Sequence, residues 1–61
     1  MGIKARYRIR GYSFHTDKST SIKNTIRKWA EAAKKNYPTE LIVVQKLENG
    51  EWHDWRLIED F

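Results

Sequence analysis

The sequence contains no cysteine, and this absence excludes two common ways of holding a small domain together. Without thiols the chain can form no disulfide, and it cannot fold around zinc through thiolate ligands. Secreted mini-proteins of this size usually carry disulfides. The composition therefore favours a cytoplasmic protein whose fold is stabilised by packing alone.

Long apolar runs are also absent. No stretch approaches the roughly 20 apolar residues of a membrane-spanning helix, and the N-terminus has no apolar signal-peptide segment. We therefore expect a soluble protein that has no membrane partner. One proline and three glycines are present in 61 residues, and no linker, repeat or low-complexity segment divides them. Residues 1–61 are predicted to form a single small domain.

The length of the chain argues against catalysis, because about 60% surface burial on folding leaves a small core and no deep cleft. Ser13, His15 and Asp17 alternate in the manner of a catalytic triad. Neighbouring same-face side chains on a strand start about 6.6 Å apart, however, which is too far for the required hydrogen bonds. His15 and His53 lack metal-ligand spacing. We predict a protein that is not an enzyme and has no cofactor, metal or small-molecule substrate.

Charge is distributed unevenly along the chain. The net charge is +4 overall, with +8 in residues 1–37 and −4 in residues 38–61. Such asymmetry is typical of proteins that bind a polyanion, provided that the basic residues form one contiguous face.

The first segment, IKARYRIR at residues 3–10, alternates with a period of two and is predicted to be a half-buried strand. Its apolar side holds Ile3, Ala5, Tyr7 and Ile9. Its other side is a row of cations without an acid: Lys4, Arg6, Arg8 and Arg10. The row indicates either a polyanion site or a solvated face, and pairing with acids of the C-terminal half is a third possibility.

Gly11 decides where the next two aromatic rings lie. In a straight strand, Tyr12 and Phe14 would share a face with Arg8 and Arg10 and could stack on bases. A bulge or bend at Gly11, which the small core favours, would instead turn both rings towards the apolar side.

Residues 10–14 resemble the start of the RNA-recognition-motif signature, in which sheet aromatics stack bases. Ser13, His15 and Asp17 depart from that signature, and the chain is too short for the family's βαββαβ fold. No family is assigned on these five residues.

A helix is predicted after residues 17–20, with Ser19, Thr20 and Ser21 as candidate N-caps and Pro38 as the stop. Its apolar stripe comprises Ile22, Ile26, Trp29, Ala30, Ala33 and Tyr37.

Two strands follow, LIVVQKL at 41–47 and WHDWRLI at 52–58, joined by a turn at Asn49-Gly50. A two-residue turn predicts that Leu47 pairs with Trp52, Val44 with Trp55, and Ile42 with Leu57. One face would then hold Ile42, Val44, Trp55 and Leu57. The other would hold Leu41, Val43, Leu47, Trp52 and Ile58.

These elements predict an α+β fold: a three-stranded, mostly antiparallel sheet with one packed helix, in the order β-α-β-β. A hairpin near Gly11 would change the layout to ββαββ, close to a β-grasp.

The leading functional hypothesis is nucleic-acid binding, to DNA or RNA, through a basic strand face. The residues assigned to it are Lys4, Arg6, Arg8, Arg10, Tyr12 and Phe14. The alternative is a small protein-binding inhibitor or adaptor of the kind that phages encode, or a homodimer. Its contact face would be Val43, Leu47, Trp52 and Ile58, because tryptophan is enriched at interface hot spots.

Overall fold

The computed structural model describes residues 5–61. Its elements are strand β1 (Tyr7–Arg10), helix α1 (Lys23–Asn36), strands β2 (Val43–Glu48) and β3 (Glu51–Leu57), and a final 3₁₀ turn (Ile58–Asp60). The strands pair antiparallel in the spatial order β1-β2-β3. This confirms the predicted α+β fold with the order β-α-β-β.

The core lies between α1 and one face of the sheet. Ile26, Ala30 and Ala33 of the helix are buried against Ile9 and Val44 of the sheet. The spacing of these helical residues places them on one stripe, which is why the helix packs with a single face inward. Trp29 and Trp55 are only partly buried and pack at the margin of this core.

Ile22 was assigned to the same stripe, and that assignment is wrong. The helix begins at Lys23, so Ile22 is the N-cap residue, and 59% of its surface is exposed. None of the predicted side-chain N-caps forms; the Thr20 hydroxyl instead accepts a hydrogen bond from the Ile22 N–H, 3.1 Å away.

The end of the helix is as predicted. Tyr37 closes the last turn by donating its N–H to the Ala33 carbonyl at 2.7 Å, and Pro38 follows directly. Neither helical segment within residues 5–61 has the length and apolar character that crossing a membrane requires.

The chain bends at Gly11, so the straight-strand alternative is wrong. β1 ends at Arg10, the Gly11 N–H donates to the Phe14 carbonyl at 2.9 Å, and the chain then runs back along β1. Two isolated bridges, Arg10 with His15 and Tyr7 with Thr20, hold this return segment to the strand. The layout therefore has part of the ββαββ character, but the returning residues form bridges rather than a strand.

The β2–β3 hairpin has the predicted turn. Asn49 and Gly50 both have positive φ, 52° and 79°, as the two-residue turn of a hairpin requires. The predicted pairing of Leu47 with Trp52 is confirmed.

Beyond Asp54 the predicted register is wrong by one residue. A β-bulge between Val44 and Gln45 leaves Trp55 as an extra residue on β3, so Val44 pairs with Arg56 and Val43 with Leu57. Because directly paired residues point to the same side, the bulge moves Leu57 away from the core face. Trp55 still packs on the core, stacked on Tyr7 with ring centroids 5.3 Å apart.

Candidate functional site

One face of the sheet has no covering layer within the part of the chain that the structure describes. The helix packs on the core face, and alternation along the strands sends every second side chain to the opposite side. We call that side the open face. Its residues on the three strands are Arg8, Arg10, Val43, Gln45, Leu47, Trp52, Asp54 and Leu57.

Arg10 is neutralised on the open face. It forms a salt bridge with Asp54, and its Nε donates to Asp54 Oδ1 at 2.8 Å. Asp54 also accepts a hydrogen bond from the Gln45 amide at 2.9 Å. The third possibility raised by the sequence, pairing of the basic row with acids of the hairpin, therefore holds for Arg10.

The Arg8 side chain extends from β1 across β2 to β3. Its Nε donates to Gln45 Oε1 at 2.7 Å, and its guanidinium carbon lies 4.6 Å from the centre of the Trp52 ring. The first contact fixes the side chain, and the second is a cation–π interaction. Gln45 is buried on an otherwise uncovered face because Arg8 and Asp54 lie over it.

Arg6 directly precedes β1, and its carbonyl accepts a hydrogen bond from the Leu47 N–H at 3.0 Å. Alternation then places Arg6 at the β1 edge of the open face. Its guanidinium donates to the Ser19 hydroxyl and to the Ser19 carbonyl, the latter at 2.6 Å. Among residues 5–61, neither Arg6 nor Arg8 has a carboxylate partner. Lys4, the first member of the predicted row, lies outside the described residues.

The bend at Gly11 turns only Phe14 towards the apolar side, so the prediction that Tyr12 would also turn there is wrong. Tyr12 is at the tip of the turn and 73% exposed, whereas Phe14 stacks on Tyr37 with ring centroids 4.3 Å apart. The turn that contains both rings is held by Glu40, whose carboxylate accepts hydrogen bonds from the Tyr12 and Ser13 N–H groups and the Ser13 hydroxyl. Phe14 therefore packs against the core and not on the open face with Arg8.

Three of the four residues assigned to a protein interface, Val43, Leu47 and Trp52, lie together on the open face. All three are half-buried. Ile58 is not with them, because it packs against the core and donates its N–H to the Ile42 carbonyl. The bulge at Trp55 shifts the register of the following residues by one, which turns the Ile58 side chain to the core side, away from Val43, Leu47 and Trp52.

The basic residues do not form one contiguous face. Helix α1 lies on the core side of the sheet, so its cations are on the opposite side of the domain from the arginines. Lys28 and Lys35 are exposed there, and Lys34 lies 3.7 Å from Glu59. The helix therefore cannot extend the arginine row, and any anion site on the open face depends on the sheet residues.

No group of three or more potential metal ligands occurs among residues 5–61. The Ser13 hydroxyl donates to Glu40, whereas His15 Nδ1 lies 3.2 Å from the Thr16 carbonyl and 4.0 Å from Asp17 Oδ1. Among the described residues, no hydrogen bond joins Ser13 to His15.

The Arg10–Asp54 pair predicts a stability change in acid. Hydrogen bonds from Arg10 and then Gln45 hold the pKa of Asp54 at about 2, below its ordinary 3.8. Because the folded pKa is depressed, the pair's contribution is present above pH 4 and is lost as the pH falls from 3.8 towards 2. The pair is partly exposed, so the contribution is about 0.2–1 kcal/mol.

Thermal melts of wild type and Asp54→Asn between pH 2 and 6 measure this contribution. We expect the variant to lose less stability on acidification than the wild type. Some pH dependence remains, since hydrogen bonds from Ser13 also lower the pKa of Glu40. Identical pH profiles for the two proteins would contradict the assignment.

Sequence reasoning missed the contact between Arg8 and Trp52. Arg8 was assigned to the nucleic-acid site and Trp52 to the protein interface, because the sequence did not indicate the spatial order of the strands. The contact depends on β2 lying between β1 and β3, with Arg8 opposite Gln45 and Leu47 opposite Trp52. Gln45 and Glu40, which hold the site and the turn, carried no sequence signal of these roles.

The open face therefore combines two arginines that have no acid partner among residues 5–61, a half-buried tryptophan and a neutralised Arg10–Asp54 pair. Comparisons with protein-family models, curated proteins and solved structures find no significant match for this chain.

Proposed function

We propose that the protein binds nucleic acid through the open face, with Arg6 and Arg8 contacting phosphates. The observation that carries this proposal is the position of the two guanidinium groups on an uncovered face, without carboxylate partners among the described residues. A guanidinium suits this role because it can donate two hydrogen bonds to one phosphate. The net charge of +4 adds long-range attraction to a polyanion.

Salt dependence tests the proposal. Each phosphate contact changes the slope of log affinity against log salt by about −0.9 on duplex DNA and about −0.7 on single strands. Replacing Arg6 and Arg8 together by glutamine should therefore reduce the slope by about 1.4–1.8. Fluorescence anisotropy of labelled oligonucleotides over a salt series measures the change. Circular dichroism confirms that the variant is folded.

The matched control is Lys28→Gln with Lys35→Gln. It removes the same number of charges from exposed helix positions on the other side of the domain. We expect its slope to stay close to that of the wild type. Equal losses in both variants would show that net charge alone matters. The absence of binding at low salt would refute the proposal.

A protein partner or a second copy of the chain is the other candidate. It is favoured by the apolar side chains of Val43, Leu47 and Trp52, which lie together on the open face. Sedimentation of the protein alone at rising concentration tests the second copy, because a homodimer formed through these residues would raise the sedimenting mass.

A further inference from the structure

We infer that the open face takes single-stranded rather than duplex nucleic acid, and that a base stacks at the Arg8–Trp52 pair. This inference rests on the proposed function and specifies its substrate. Indole rings and guanidinium planes are both surfaces on which unpaired bases stack. Trp52 is half-buried on an uncovered face, and Arg8 lies 4.6 Å from its ring centre.

The pair is held in place before any ligand binds. Asp54 accepts a hydrogen bond from Gln45, and Gln45 accepts one from Arg8, so a chain of polar contacts across the sheet fixes the guanidinium beside the indole. Within residues 5–61, Arg8 donates from Nε alone. Its other N–H groups can therefore contact a phosphate while the attached base stacks at the Arg8–Trp52 pair.

Charge complementarity favours a nucleic-acid strand over an apolar partner at this position. Within the part of the chain that the structure describes, Arg6 and Arg8 have no acid partner, and burying two such cations against an apolar surface would be unfavourable. The nearby acids Glu48 and Glu51 flank Leu47 and Trp52 in sequence, so alternation directs them to the other side of the sheet. They do not face a strand bound on the open face.

A duplex does not fit this arrangement. Its bases are stacked on each other and offer only their edges in the grooves, so the flat side of an indole on an open sheet cannot stack on them. A single strand can turn a base outward and keep its phosphates close to the arginines.

Three probes of equal length test the inference: oligothymidine, an abasic strand with the same phosphates, and a duplex. A stacked base contributes about 1–3 kcal/mol, so wild type should bind oligothymidine about five- to 150-fold more tightly than the abasic strand. Trp52→Leu should remove that difference, because it removes the ring on which the base stacks. Trp52→Phe keeps an aromatic ring and should restore most of the difference.

The outcomes separate the inference from the proposed function. If no probe binds at low salt, the proposed function fails and the inference fails with it. If wild type binds the oligothymidine and abasic strands equally, or prefers the duplex, phosphate binding stands and the stacking inference is overturned. A wild-type dimer that Trp52→Leu converts to a monomer, without effect on oligonucleotide binding, would also overturn it. The comparison of probes on wild type remains decisive if Trp52→Leu does not fold.

Discussion

Replacing Ile26 by alanine should remove a large part of the protein's stability. Ile26 is fully buried between α1 and the sheet. Truncating a buried isoleucine costs about 2–5 kcal/mol through lost burial and the cavity that remains. A domain of this size has a total stability of roughly 3–9 kcal/mol, taking about 0.05–0.15 kcal/mol per residue.

Ile22→Ala is the matched control, because it makes the same chemical change four residues earlier, at an exposed position just before the helix. Ile22 is the N-cap residue and is mostly exposed, so its truncation should change the free energy of unfolding by less than about 0.5 kcal/mol. Urea melts followed by tryptophan fluorescence measure both variants. Equal losses of stability at the two positions would contradict the helix start at Lys23.

Replacing Gly11 by alanine should also destabilise the fold, by about 1–3 kcal/mol, because a methyl group there has no space. An added Cβ would clash with the Phe14 ring and would lie 2.7 Å from the Glu40 carboxylate. Relief requires both neighbours to shift: the Phe14 ring, which stacks on Tyr37, and the Glu40 carboxylate, which holds the turn. Urea melts again give the size of the effect.

A double-mutant cycle identifies the cause of this effect. If the clash with the ring dominates, Gly11→Ala should cost less in a Phe14→Ala background than in the wild type. Additive losses would instead assign the effect to Glu40 or to the backbone. Gly50→Ala is a useful comparison: no atom lies within 4 Å of its added Cβ, but its φ of 79° is strained for alanine.

Local patterns in the sequence predicted the elements well. Alternation identified β1, the spacing of Ile26, Ala30 and Ala33 identified the inward side of the helix, and Asn49-Gly50 identified the hairpin. Each of these signals lies within a few residues along the chain, where backbone geometry alone relates sequence to structure.

The long-range features could not be predicted in this way. The bulge at Trp55 has no glycine to mark it, so the register beyond Asp54 could not be read from the sequence. The pairing of β1 with β2 joins segments separated by the whole helix, and only that pairing brings Arg8 to Gln45. Alternation placed Arg8 and Arg10 on the same face of β1, but their side-chain partners depend on contacts between distant segments.

The conformation at Gly11 also depends on a contact with a segment distant in sequence. The sequence predicted either a straight strand or a bend, and the need for burial favoured the bend. It could not indicate that Glu40 would hold the turn, since this carboxylate is brought there by the loop after the helix.

The bulge at Trp55 also bears on the tendency of the protein to aggregate. Within the described residues, β3 pairs only with β2, so its outer backbone groups form an exposed edge. Flat, regular edges invite further strands to add and can lead to fibrils. The bulge interrupts this edge near its centre, and the charged side chains of Glu51 and Arg56 lie on either side. A second chain could therefore form only a short ladder with β3, which should keep the protein from polymerising at high concentration.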